Sequence, residues 1–183
     1  MKTVRIGIVS DTHDLSCFNQ AFPKIEKIFR GCECIVHAGD IIHPQVLLAL
    51  SEIAPVKAVL GNKRADFVNF PSLPRKIIFR CGEFKIGVIH GLSNDVERVL
   101  NWFLGKIGLG ILGMKIYYKR IKKFFPNDIN CIIFGDLHRP ICHWTNEKLF
   151  FNPGTTNKER NFNGSCGILR IKDSKLFPEI VYL

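Results

Sequence analysis

Hydrophobic and polar positions along the chain fall into blocks whose period changes from strand-like to helix-like and back. Thr3 to Ser10 is almost wholly apolar and ends in a polar loop, Asp11 to Ser16, as strands buried on both faces do. Phe18, Ala21, Phe22, Ile25, Ile28 and Phe29 then follow helical spacing with Gly31 as the stop, and Pro23 suits that helix only near its first turn. The unit repeats, with Cys34 to Ala38 as strand, Gly39 to His43 as loop, Pro44 to Ile53 as helix and Val56 to Leu60 as a third strand running into Gly61 and Asn62. A βαβαβ start of this kind predicts a parallel sheet with right-handed crossovers. After Pro71 to Pro74, Lys76 to Arg80 and Phe84 to His90 read as a hairpin turning at Cys81, Gly82 and Glu83. Later strands are expected at Cys131 to Phe134, Ile141 to Thr145, Lys148 to Phe151, Gly167 to Ile171 and Phe177 to Tyr182, which points to a second, largely antiparallel sheet.

Length and composition narrow the picture. A chain of 183 residues with 46% hydrophobic and 23% charged residues supports one buried core, so residues 1–183 are expected to form a single domain and not a disordered segment. No run approaches the roughly 18 apolar residues of a membrane span, and the opening stretch Val4 to Val9 is cut by Ser10 and Asp11, so neither export nor membrane insertion is expected. Seven cysteines without a CxxC pair read as reduced residues of a cytosolic protein, and Cys32 and Cys34 as a CxC pair would offer only two of the four ligands zinc normally takes.

The net charge of +10 favours an anionic partner, and its placement says more than its sum. Arg98, Lys106, Lys115, Lys119, Arg120, Lys122 and Lys123 lie between Arg98 and Asn127 with no acid among them, which leaves only +3 for the rest of the chain.

The polar residues at strand ends carry the candidate chemistry. Strand one exits into Asp11-Thr12-His13, strand two into Gly39-Asp40, strand three into Gly61-Asn62, the second strand of the hairpin into His90-Gly91, and the next into Gly135-Asp136-Leu137-His138. Ligand sites in open α/β sheets gather at the carboxyl ends of strands, and Asp, Asn and His are the side chains that bind hard or borderline divalent metals. Each alone reads as an ordinary turn or loop residue. Five in succession, each after an apolar strand, point to a metal site.

These blocks resemble those of the calcineurin-like metallophosphoesterase superfamily, D-x-H, G-D, G-N, H-G and G-H-x-H, in order and over nearly the whole chain. The short length, the Phe84-Lys85-Ile86-Gly87 run and the Asn152-Pro153-Gly154 turn look most like its small YfcE-like phosphodiesterase branch, which also resembles the metallophosphoesterase-like scaffold subunit of retromer. The resemblance implies a four-layer α/β/β/α sandwich with two mixed β-sheets. It also implies a metal-dependent hydrolase of a phosphodiester or pyrophosphate bond, attacked by a metal-bridging hydroxide. By resemblance, Asp11, His13, Asp40 and His138 hold a first metal while Asp40, Asn62, His90 and Asp136 hold a second, with Asp40, Asn62 and His90 as the catalytic set. Two divalent ions are implied, manganese first, with magnesium, ferrous iron, nickel or zinc as alternatives; the carboxylate-rich set leans away from zinc.

Three departures qualify the likeness. Asp136 stands where the family has the first histidine of G-H-x-H, so it either ligates as an anionic oxygen or points away. Lys63 and Arg64 follow Asn62 where relatives often place a catalytic His or an Asp; they read as phosphate-binding side chains or as a solvated loop, and leave His43 or His143 as weak candidates for protonating a leaving group. Residues 93–127 form a helical basic and apolar insertion. It holds Trp102-Phe103-Leu104, glycines at 105, 108, 110 and 113, and a stretch 114–125 in which Lys115, Lys119 and Lys122 share one face while Tyr117, Ile121 and Phe124 share another. That segment reads as cover for the sheet, or as a cap meeting a phosphorylated small molecule, a lipid-linked substrate or an anionic membrane. Hydrolases of UDP-diacylglucosamine resemble it there and in Arg139-Pro140. No nucleic-acid-binding module is recognisable, so nucleic acid is not the expected partner.

Overall fold

The structure is a computed structural model that describes residues 3–92, 110–146, 148–158 and 163–183. Strand β1 (Val4–Val9), helix α1 (Leu15–Phe29), strand β2 (Cys34–His37), helix α2 (Pro44–Ser51) and strand β3 (Val56–Ala58) realise the βαβαβ start. The short helix α3 (Arg64–Asn69), the hairpin β4 (Lys76–Cys81) and β5 (Phe84–Ile89), and helix α4 (Gly110–Lys122) follow. The remaining strands are β6 (Cys131–Ile133), β7 (Pro140–Thr145), β8 (Lys148–Pro153), β9 (Ser165–Lys172) and β10 (Lys175–Tyr182). They build two five-stranded sheets, β10-β9-β1-β2-β3 and β4-β5-β6-β8-β7.

Alternation within each strand creates the layers. Ile6 and Ile8 of β1, Cys34 and Val36 of β2, Ile86 and Val88 of β5, Cys131 and Ile133 of β6, and Leu149 and Phe151 of β8 meet between the sheets. The opposite faces turn outward. Val9 and Ile35 pack under Phe18, Ile25 and Phe29 of α1 and Val46 and Leu50 of α2, whereas Ile89, Ile132 and Phe150 pack under Tyr117, Tyr118 and Ile121 of α4. The order is therefore helix, sheet, sheet, helix, and each fully buried Ile or Phe contributes on the order of 1.5–3 kcal/mol of burial free energy.

Four expectations change. The second sheet is half parallel, because β5, β6 and β8 run parallel and only β4 and β7 pair antiparallel. The last two strands join the first sheet, β9 pairing antiparallel with β1. Pro23 lies in the interior of α1; its missing N–H removes one helical bond, and the buried face of Phe18, Ile25 and Phe29 carries the helix through. In the basic segment, α4 ends at Lys122, so Phe124 lies beyond it and not on the helical face expected with Tyr117 and Ile121, 46% exposed, while Phe125 takes the buried position. Trp102-Phe103-Leu104, Gly105 and Gly108 lie outside the described residues. All seven cysteines are free; Cys32, in the turn before β2, packs in the core under α1, whereas Cys34 on β2 enters the core between the sheets. No described helix is long and apolar enough to cross a membrane.

Candidate metal centre

Register brings the polar loops to one level. Val9 pairs with His37 and His37 with Ala58 in the first sheet, while Val88 pairs with Ile133 in the second, so β1, β2, β3, β5 and β6 all release their loops at neighbouring carboxyl ends. Backbone bonds fasten the loops to one another: Asp11 N–H donates to Gly39 O at 3.0 Å and Gly135 N–H to His90 O at 2.7 Å. Left-handed backbone then aims the side chains. Asp11, Asp40, Asp136 and His138 have φ of 55°, 55°, 68° and 55°, conformations that cost roughly 1–3 kcal/mol each and are held only where surrounding contacts enforce them.

The predicted ligands converge. His90 Nε2 lies 3.4 Å from Asp40 Oδ1, 3.9 Å from Asp11 Oδ1 and 3.8 Å from Asp136 Oδ1. His138 Nε2 lies 3.4 Å from Asp11 Oδ1 and 3.4 Å from His13 Nε2. Asn62 Nδ2 is 3.4 Å from Asp136 Oδ1, so Asp136 is turned into the cluster. Asp40 Oδ1 accepts the backbone N–H groups of Asn62 at 2.7 Å and Lys63 at 3.2 Å. That approach depends on Gly61, where a Cβ would stand 2.0 Å from Asp40 Oδ1.

Electrostatics follow from this packing. His90 Nδ1 donates to Ala38 O at 2.7 Å, which leaves Nε2 pointing at three carboxylates. Burial disfavours charge on His90, but the adjacent Asp40 carboxylate and the fields of Asp11 and Asp136 outweigh it and raise its pKa to about 9. For Asp40 burial pushes the other way, yet His90 and the amides of Asn62 and Lys63 hold its carboxyl well below the usual range. His13 is lowered by burial and by the neighbouring His138.

Asp11 Oδ1 and His90 Nε2 are buried and lack hydrogen-bond partners. Together with Asp40 they offer ligand atoms all within 4.8 Å of one another. Buried orphan atoms of this polarity facing each other fit a divalent cation, and mixed carboxylate and imidazole donors suit borderline metals.

Other predicted residues stand apart. Lys63 contributes its backbone to Asp40 with its side chain exposed, and Arg64 opens α3 at the surface. His43 caps α2, and His143 on β7 stacks on Tyr118 with ring centroids 4.7 Å apart.

Several supporting residues escaped the sequence reading. Asp66 is fully buried, and its carboxylate accepts N–H groups from Ile41 at 3.2 Å, Ile42 at 2.7 Å and Gly61 at 2.8 Å, tying the Asp40 loop to the Asn62 loop. His37 accepts Gly39 N–H on Nδ1 at 3.2 Å, so its Nε2 carries the hydrogen and donates to Thr12 Oγ1 at 2.9 Å; burial presses its pKa down to about 3. Thr155 Oγ1 donates to Asp11 O at 2.8 Å, Asn152 Nδ2 to Gly135 O at 2.8 Å, and the Asn157 amide lies 3.2 Å from His13 Nδ1. The only available sign of these was the Asn152-Pro153-Gly154 turn, whose neighbours clamp the site.

The profile of the calcineurin-like phosphoesterase superfamily domain matches residues 4–174. The chain belongs to this superfamily. Calcineurin-like phosphoesterases are metal-dependent, in keeping with the cluster of Asp11, Asp40 and His90. A probable metallophosphoesterase of Methanocaldococcus jannaschii is 31% identical over 182 residues, an alignment covering 96% of this chain and 82% of that protein. An archaeal phosphodiesterase of known structure superposes with a TM-score of 0.66 at 20% identity, over 98% of this chain and 100% of the other. Wild-type Vps29 from Entamoeba histolytica, solved with zinc, gives 0.58 at 16% identity over 98% and 99%. At these identities the two structures testify to the fold, including its YfcE-like and Vps29-like forms.

Proposed function

We propose that this chain is a metal-dependent phosphoesterase that hydrolyses a phosphodiester or pyrophosphate bond at the cluster around Asp40. The observation that carries the proposal is the pair of buried, unpartnered atoms, Asp11 Oδ1 and His90 Nε2, facing each other beside Asp40 in a chain of this superfamily. Two divalent ions, manganese first, would supply a Lewis acid for the phosphoryl oxygens and a water of lowered pKa. Asp11, His13, Asp40 and His138 would hold one, and Asp40, Asn62, His90 and Asp136 the other. With three carboxylates in the set, two divalent charges leave the site at a net positive value that attracts a phosphate diester. The chain's own work is positioning: the Ala38 carbonyl fixes the His90 ring, Asn62 and Lys63 amides fix Asp40, and the exposed Lys63 ammonium, whose charge reaches His13, would meet substrate charge.

Hydrolysis of bis-p-nitrophenyl phosphate by metal-stripped protein, with and without added manganese, tests this reading. Turnover is expected only with metal, and Asp40→Asn should lower kcat/KM by at least about 100-fold, since it removes a charge that acts through the whole cluster. Near-full turnover in that variant overturns the proposal. Inactivity with manganese, magnesium, iron, nickel and zinc alike, in protein that still binds metal, would assign the chain to the scaffold class. The lipid-linked reading draws on α4, which exposes Lys115, Lys119, Arg120 and the apolar Leu112; activity on a UDP-diacylglucosamine-type ester but not on soluble diesters would select it.

A further inference from the structure

A hollow of about 260 Å³ opens beside the cluster, with Asn62 and His90 on one wall. Its lining also includes the hydrocarbon side chains of Leu60, Ile89 and Phe124. Phe124 is the residue that left the helical face expected of it, and 46% of its surface is exposed. It is held there from outside α4: Lys76, at the start of β4, donates from Nζ to Phe124 O at 2.9 Å. Arg75 also lines the hollow, its guanidinium 4.7 Å from the centre of the Phe67 ring on α3. An apolar lining that also contains Arg75, Lys76 and the Asn62 and His90 of the candidate phosphate chemistry matches a molecule whose phosphate sits at the cluster and whose ester group is hydrocarbon. The size sets the group, because sites for whole drug-sized ligands run to about 300–1,000 Å³ and this one admits a single ring.

Resting on the phosphoesterase reading above, we infer that the hollow of Leu60, Ile89 and Phe124 is a specificity subsite. It selects phosphate esters carrying one ring-sized apolar substituent, with Phe124 as the residue that grips it. Aromatic and saturated rings share this chemistry, and Phe124 separates them, since a ring against a ring gains an offset or edge-to-face contact beyond burial.

Calorimetric titration of the manganese-loaded protein with phenyl, cyclohexyl and methyl phosphate tests the inference without turnover. Phenyl and cyclohexyl phosphate are expected to bind at least about fivefold more tightly than methyl phosphate. Phe124→Ala should reduce that preference roughly threefold or more, and Phe124→Leu should restore it for cyclohexyl more than for phenyl phosphate. Equal affinities of the three phosphates for the unaltered protein overturn the subsite, as does a preference that survives Phe124→Ala intact. Diester hydrolysis is the separate readout. Protein that prefers ring phosphates but hydrolyses no ester keeps the subsite and loses the phosphoesterase reading; protein that hydrolyses diesters but binds all three phosphates alike does the reverse.

Discussion

His37 shows how one buried side chain can govern stability without touching substrate. Its ring is fully buried and neutral, with both nitrogens committed to Gly39 and Thr12, and its pKa falls to about 3. The unfolded chain takes up that proton near pH 6.5 and the folded chain does not until about pH 3, so the folded state loses ground as pH falls through this window. His90 has the opposite sign: its stabilising contribution in the metal-free protein is present below 6.5 and is lost as pH rises through about 9, so between pH 7 and pH 5 it offsets part of the His37 loss. Denaturant titrations of the metal-free protein should therefore show it less stable at pH 5 than at pH 7 by about 1 kcal/mol, with a smaller added loss from His13, and His37→Gln should remove that difference. An unchanged difference in the variant would show that other groups carry the slope.

At the scale of elements, α3 exists to bring Asp66 inward. Six residues form an intrinsically weak helix, and its only buried residue is this acid, which accepts three backbone N–H groups from two loops. Asp66→Asn keeps the size but turns an amide donor toward buried donors. We expect a loss of about 3 kcal/mol in urea unfolding, together with lower diesterase activity because the Asp40 and Asn62 loops lose their common anchor. A variant as stable as the parent would mean that the loops are held by other contacts. The same scale explains Pro23 and Phe124. Tertiary burial keeps α1 helical across a proline, and the turn after Lys122 exchanges Phe124 for Phe125 at the sheet, decisions made by packing over local propensity.

For the whole molecule, the cluster is a staple between layers. Asp11, Asp40 and Asn62 follow strands of the first sheet, and His90, Asp136 and His138 strands of the second, so any ion held among them adds to the apolar core and the His90–Ala38 hydrogen bond that already join the two sheets. Saturating metal at about 100 times its Kd contributes roughly 2.7 kcal/mol, which corresponds to a rise in Tm of about 5–10 °C for a chain of this size. Thermal unfolding of stripped protein with and without manganese should show that rise, and Asp40→Asn should show far less; equal melting of stripped and loaded protein would place the metal elsewhere or nowhere.

Periodicity and strand-end residues determined much of this protein from the sequence alone: the βαβαβ start, the hairpin, and the seven polar residues that gather at the carboxyl ends of strands. These are local properties, since alternation and a polar exit are written within a few residues of one another. Only the tertiary structure decided which sheet received β9 and β10, that Asp136 turns inward, and that Asp66, His37 and Asn157 support the site. The physical reason is common to all of them. A buried acid, a neutral histidine or an unpaired strand edge is defined by its partners, and those partners lie from two to more than a hundred residues away in the chain.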